Sequence, residues 1–276
     1  ANHRRWGGPV EAGLNRRARE GLDVLGRALA RATAEGCSVF VVLGDLFDSV
    51  RPEPQLLAAV QATFRGFTGR VVVLAGNHDM VSAAPGDHAL GPLAFVSVVG
   101  ALGRLALHHG ADEYVSVVDA PVRLGVGVEL WCVPHRPGAA REWLPKVLDE
   151  LAEVPGDSQV ASGDDGAPVR ILALHLGISD ESTPTYLHGA ADSVSAEQLV
   201  GLAEEYRVGL VVAGNWHESR AWNASGYAMS LYRPYRTDGA FLVQAGTLVP
   251  HSFGDPVAGV GGLWIYDTEN GSVESV

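Results

Sequence analysis

Ser38-Val39-Phe40-Val41-Val42-Leu43-Gly44-Asp45-Leu46-Phe47-Asp48 is the stretch that decides the fold. Residues 38–43 form a run rich in β-branched and aromatic side chains, with no polar alternation. That pattern predicts a strand buried on both faces, as in a parallel sheet covered by helices. Gly44 then lets the backbone turn sharply out of the sheet. Two acids, Asp45 and Asp48, follow at once. In open α/β sheets ligands bind at the carboxyl ends of strands, which is where this stretch puts its carboxylates.

Upstream, residues 13–36 read as a helix, with Leu14, Ala18, Leu22, Leu25 and Leu29 near helical spacing and Gly36 suited to its stop. Downstream, a helix over 54–67 leads to a second buried strand, Arg70-Val71-Val72-Val73-Leu74. This β-α-β alternation predicts a mostly parallel sheet with right-handed crossovers. Further strands are expected at 105–107, 114–118, 128–133, 169–174 and 210–213, with helices at 139–151 and 195–206. Trp143 and Leu144 are expected to face inward. Residues 155–168 are polar and rich in Gly, Ser and Asp, and read as an exposed loop. Runs at 241–244 and 263–266, joined by Gly-rich turns, suit a second, partly antiparallel sheet. The expected architecture is α/β, two packed mixed β-sheets flanked by helices in four layers, with residues 1–276 as one domain.

A chain of 276 residues, 47% hydrophobic and 19% charged, can bury a sizeable core. Its formal net charge of -12 argues against a surface that grips nucleic acid non-specifically. It leaves room for a nucleic-acid substrate at a carboxylate cluster neutralised by metal. Cys37 and Cys132 follow no C-x-x-C pattern, and each sits in a hydrophobic run. Buried free thiols in a reducing cytoplasm are the expectation. No apolar stretch reaches the length of a membrane span, and no signal peptide opens the chain.

Four strand ends carry metal-ligand residue types: Gly44-Asp45-x-x-Asp48, Gly76-Asn77-His78-Asp79, His175, and Gly214-Asn215-Trp216-His217-Glu218. Carboxylate, amide oxygen and imidazole suit Mn, Fe, Zn or Mg. Two such ions about 4 Å apart can hold a phosphate, convert a water to hydroxide and stabilise an in-line displacement.

This ordered set, each member after a buried strand, resembles the calcineurin-like metallophosphoesterases. The resemblance implies a phosphodiesterase with two divalent metal ions, Mn foremost and Mg, Fe or Zn as options. Its substrate would be a phosphodiester, DNA or RNA included; the alternatives are a phosphomonoesterase on nucleotides or phosphoproteins, or a degenerate non-catalytic binding protein of the same fold. Residue by residue, it implies that Asp45 bridges both ions and that Asn77 and His175 bind the second. His217 would bind the first, His78 would contact the phosphate and assist the leaving group, and Asp48 would orient His78. G-D-L-F-D, G-N-H-D, the closing W-H-E and the turn Gly246-Thr247-Leu248-Val249-Pro250 are similar to SbcD-like and double-strand-break-repair nucleases.

Two features depart from the family. Its last motif is usually G-H-x-H, and here Asn215 stands for the first histidine, either as a weaker ligand of the second metal or as a turn asparagine. The family also opens with a strand ending in D-x-H, which this sequence lacks. A first strand missing from the chain is the preferred explanation, because removing a central strand would expose apolar surface. As written, His3 is the one N-terminal substitute. Asp79 is expected to bond loop amides. His135 reads as a loop residue and Trp216 as a packing residue. His251, just past the Gly-Thr turn, and Arg4 are candidate substrate contacts.

Overall fold

The computed structural model describes residues 8–82, 87–93, 97–99, 103–104, 122–123, 128–153, 169–187, 189–231, 235–236, 239–249 and 262–276. The chain opens with a hairpin, β1 (Val10–Glu11) and β2 (Leu14–Asn15), followed by α1 (Arg16–Ala34), β3 (Val39–Val42), α2 (Pro54–Phe64) and β4 (Arg70–Leu74). Short strands β5 (Ser97–Val99), β6 (Gly103–Arg104) and β7 (Val122–Arg123) precede β8 (Val128–Val133), α3 (Ala140–Glu153) and β9 (Val169–His175). Next come β10 (Gly177–Ser179), β11 (Ser193–Ser195) and α4 (Ala196–Glu205). The final part holds β12 (Val208–Gly214), β13 (Arg220–Trp222), β14 (Tyr235–Arg236), β15 (Phe241–Gln244), β16 (Trp264–Asp267) and β17 (Ser272–Ser275).

Three sheets carry the architecture. The largest has the order β13-β15-β12-β9-β8-β6, with β7 also on β8. Its centre, β15 to β8, is parallel, and its outer strands are antiparallel. A parallel sheet β3-β4-β5 and an antiparallel sheet β14-β17-β16 pack against one face of it. Strand alternation sorts the side chains. In β4, Val72 and Leu74 enter the core between sheets, where they meet Leu130, Ile171, Leu210 and Val243. Val71 and Val73 point the other way, into the core under α1 and α2. On the far face of the large sheet, Trp131, Leu172, Leu174 and Val211 pack beneath α3 and α4. The result is an α/β fold with helices flanking packed mixed sheets, as expected. Truncating a core leucine such as Leu74 or Leu172 to alanine costs about 2–5 kcal/mol.

The helices form where their sequences can start and bury a stripe. Asn15 Oδ1 accepts from Ala18 N at 2.8 Å and caps α1. Ala18, Leu25, Ala28, Leu29 and Ala32 then form its buried face. In α3, Leu144 is fully buried and Trp143 packs at the edge of the same core. Pro145 lies inside this helix and cannot bond the Arg141 carbonyl. That oxygen accepts instead from Gln198 Nε2 of α4, at 3.4 Å.

One expectation about burial is corrected. β3 is not buried on both faces: only Phe40 is fully buried, and Val39, Val41 and Val42 are half-buried. β4 and β8 are buried almost throughout. The physical reason is position, since β3 ends its sheet and has a described partner on one side only. Expected strands at 105–107 and 114–118, and the loop at 155–168, lie outside the described residues. Cys37 is half-buried and Cys132 fully buried, both free, and burial pushes the Cys132 thiol well up. Among the described residues no helix is long and apolar enough to cross a membrane.

Candidate functional site

The carboxyl ends of β3 and β4, in one sheet, meet those of β9 and β12, in the other, and His175 joins them. This fully buried imidazole ends β9. Its Nδ1 lies 2.6 Å from the carbonyl oxygen of Leu43, just past β3. Its Nε2 lies 3.0 Å from Asn77 Oδ1 and 3.4 Å from Asp45 Oδ2. The ring fits here because Gly44 has no Cβ: one would lie 2.1 Å from His175 Nδ1, and the φ of +92° also favours glycine. Gly76 serves Asp45 in the same way, since a Cβ there would lie 2.2 Å from Asp45 Oδ1.

The electrostatics follow from these contacts. Burial alone would push the His175 pKa down, but the hydrogen bond to Asp45, its charge and the Leu43 carbonyl outweigh it and raise the pKa. Burial would raise the Asp45 pKa; hydrogen bonding and charge from His175, with the His78 backbone N–H donating at 2.9 Å, lower it instead. Both ring nitrogens of His175 face oxygen atoms. Asp45 itself holds a φ of +53°, a strained value for a residue with a side chain.

Asp79 pins the turn from below. It is fully buried, and its two carboxyl oxygens accept from Phe47 N at 3.1 Å and Gly76 N at 3.0 Å. It thus bonds loop amides as expected, tying the turn after β3 to the turn after β4. Burial pushes its pKa up to about 6, against these two bonds.

The other residues stand apart from the His175 centre. His78 is exposed, with Nδ1 3.7 Å from Asp48 Oδ1. Asn215 takes a φ of +83°, and its side-chain nitrogen donates to Asp192 Oδ2 at 2.7 Å. His217 is exposed. Asp45, Asp48, His78, Asn215 and His217 nevertheless line one groove of about 1060 Å³. Trp216 lies against the backbone of Gly177, where a Cβ would sit 2.2 Å from the indole. Arg4 and His251 lie outside the described residues.

This arrangement corrects the expectation of a metal-dependent hydrolase. Among the described residues no group of three or more His, Cys, Asp or Glu side chains is placed to hold a metal ion. A two-ion phosphodiesterase or nuclease centre, with manganese or any other divalent cation, is not assembled from them. The physical reason is that the expected ligands are already engaged: His175 with Asp45, Asn77 and Leu43, and Asn215 with Asp192.

Two neighbours were not anticipated as part of the site. Asp192 sits in the loop before β11, where no motif marks it, and only the fold brings it to Asn215. His135 stacks edge-on against His175, with ring centroids 6.1 Å apart. Burial, then the nearby His175 charge, lowers its pKa. Its position just past β8, after Trp-Cys-Val-Pro, was the available signal.

No curated protein matches the chain. Among solved structures, TT1561 of Thermus thermophilus is similar with a TM-score of 0.50 and 12% identity, over 93% of this chain and 93% of that one. At that identity the likeness is one of fold. Purple acid phosphatase PPD1 from yellow lupin (Lupinus luteus) seeds has a TM-score of 0.47 and 14% identity, over 86% of this chain and 42% of that one. Neither singles out the SbcD-like nucleases. Residues 13–219 match the family described as calcineurin-like phosphoesterase. That match takes in the strand ends carrying Asp45, Asn77, His175 and His217 and well over half of the 276 residues, so this chain belongs to the calcineurin-like phosphoesterase family.

Proposed function

We propose that this chain is a non-catalytic binding protein built on the calcineurin-like phosphoesterase fold. The observation that carries this reading is internal pairing: His175 Nε2 engages both Asn77 Oδ1 and Asp45 Oδ2 at the point where the strand ends meet. Its ligand is a phosphate ester at the mouth of the groove. Exposed His78 and His217 line that mouth and can donate to anionic oxygens. Asp48 Oδ1 lies 3.7 Å from His78 Nδ1, at the same mouth.

The similarity of G-D-L-F-D, G-N-H-D and W-H-E to SbcD-like nucleases favours a phosphodiester of nucleic-acid type. A net charge of -12 opposes a long polyanion, so a single nucleotide diester or a strand terminus fits best. Two free thiols support a reducing, cytoplasmic setting.

The test uses bis-p-nitrophenyl phosphate as probe, with binding read by calorimetry and turnover by nitrophenolate release, with and without Mn. Saturable binding without release above buffer is expected. His78→Ala should weaken binding about tenfold, the worth of one charge-assisted hydrogen bond. Metal-dependent release that vanishes in Asp45→Ala would overturn the reading, as would a lack of saturable binding.

A further inference from the structure

β15 opens with three apolar residues, Phe241-Leu242-Val243, and closes on a glutamine. Gln244 is only 1% exposed. A buried amide is costly unless both its oxygen and its nitrogen find partners. Here each finds a backbone group, and the two groups belong to different segments. Gln244 Oε1 accepts from Ile178 N at 2.9 Å, and Gln244 Nε2 donates to the Glu218 carbonyl at 2.8 Å. Ile178 follows His175 by three residues, and Glu218 follows His217 by one. One side chain thus bridges the segment leaving β9 and the turn leaving β12. Its neighbours Val243 and Ala245 line the groove, so strand alternation puts Gln244 on the other face, behind it. Two further contacts brace the same turn. The His217 carbonyl accepts from Thr247 N at 3.1 Å, and Ser219 Oγ accepts from Trp264 Nε1 at 3.1 Å. Gly246 allows this closeness, because a Cβ there would lie 2.8 Å from Ser219 N.

We propose that Gln244 is a positioning residue: it fixes the spacing between the His175 and His217 strand ends, and so sets where His217 stands at the mouth of the groove. Trp216 supplies a second tie between the same two segments, lying against the backbone of Gly177. An apolar contact of that kind tolerates sliding. Two hydrogen bonds from one planar amide do not, because each weakens steeply with distance and angle. The amide therefore sets the spacing and the indole fills it. His217 is exposed, so core packing does not aim its ring; the peptide that carries it does. A group held in place before binding costs less to order than a mobile one, and binds more tightly for it. The placement is read from geometry alone; its consequence for affinity rests on the phosphate-ester reading above.

The test removes the amide and keeps its shape, in Gln244→Met. Leu242→Ala, a fully buried position of the same strand, is the control for general destabilisation. Amide hydrogen exchange is followed at Thr247, whose acceptor is the His217 carbonyl, and referenced to core amides of β8 and β9. Binding of bis-p-nitrophenyl phosphate is measured by calorimetry on wild type and both variants. Gln244→Met should quicken exchange at Thr247 about tenfold over the core reference and weaken binding about tenfold. Leu242→Ala should change neither. If Gln244→Met does not fold, Gln244→Asn, one methylene too short to hold both partners, takes its place. Exchange at Thr247 that only follows the core overturns the proposal, as do equal changes in Leu242→Ala. Quickened exchange with wild-type affinity also overturns it, since Gln244 is then a structural bond alone. Should wild type fail to bind the probe, the ligand reading falls, and exchange at Thr247 decides by itself whether Gln244 holds the turn.

Discussion

The turns after β4 and β12 are built from nearly the same residues, Gly-Asn-His-Asp at 76–79 and Gly-Asn-Trp-His at 214–217. They do different work. In the first, Asp79 is fully buried and holds two backbone amides, and Asn77 is presented to His175. In the second, the asparagine takes a left-handed backbone and donates to Asp192, and the histidine is exposed. The difference teaches that residue types at a strand end do not by themselves make a site. What matters is whether a buried anchor fixes the turn, and which loop competes for its polar groups.

The largest effect should come from the anchor. Asp79→Ala leaves two buried amides without an acceptor and should lower stability by about 2–5 kcal/mol, read by urea denaturation. Asp79→Asn keeps one acceptor and should fall between wild type and alanine. A loss below about 1 kcal/mol for the alanine variant would erase the contrast between the turns.

The pH profile sharpens the same contrast. The folded Asp79 pKa, about 6, lies above its ordinary value of 3.8. The folded state therefore keeps a proton that the unfolded state has released, and stability falls as pH rises from about 4 to about 6. At 1.36 kcal/mol per unit of pKa, the fall is about 3 kcal/mol at most. Asp45, with its lowered pKa, loses its contribution below the ordinary carboxylate range; His175, with its raised pKa, loses its own above the ordinary histidine range. The windows are separate, so denaturation across pH 4–6 should flatten in Asp79→Asn and stay sloped in a variant of Asn215.

The smallest effect belongs to the second turn. Asn215→Ala loses the Asp192 bond and strains a left-handed backbone, at about 1–2 kcal/mol. Asn215→Gly loses the same bond but suits a φ of +83°, and should lie within about 0.5 kcal/mol of wild type. A glycine variant as damaged as the alanine one would show that the Asp192 bond, and not backbone strain, holds this turn.

Much of the frame was legible in the sequence. Residues 70–74, 128–133 and 241–244 were read as strands with the bounds the structure gives them. Each is a dense apolar run in a sheet interior, where burial and backbone pairing agree. The helices were placed to within about three residues at their ends, where caps and fraying blur any boundary. The degree of burial of β3 was not legible, because its composition matches β4 while its place is a sheet edge. The pairing at the site was not legible either. Asp192 lies 23 residues before Asn215 and carries no motif.

By itself the sequence determined the layers, since hydrophobic period and glycine-ended strands depend only on local order along the chain. It also determined which residue types reach the carboxyl edge of the sheets. Only the tertiary structure decided what they do there. Hydrogen-bonding capacity is spent on whichever partner lies within about 3 Å, and that partner comes from a distant segment. His175 meets Leu43, Asp45 and Asn77, and Asn215 meets Asp192, so these strand-end side chains pair with protein groups, and the described residues assemble no metal-holding cluster.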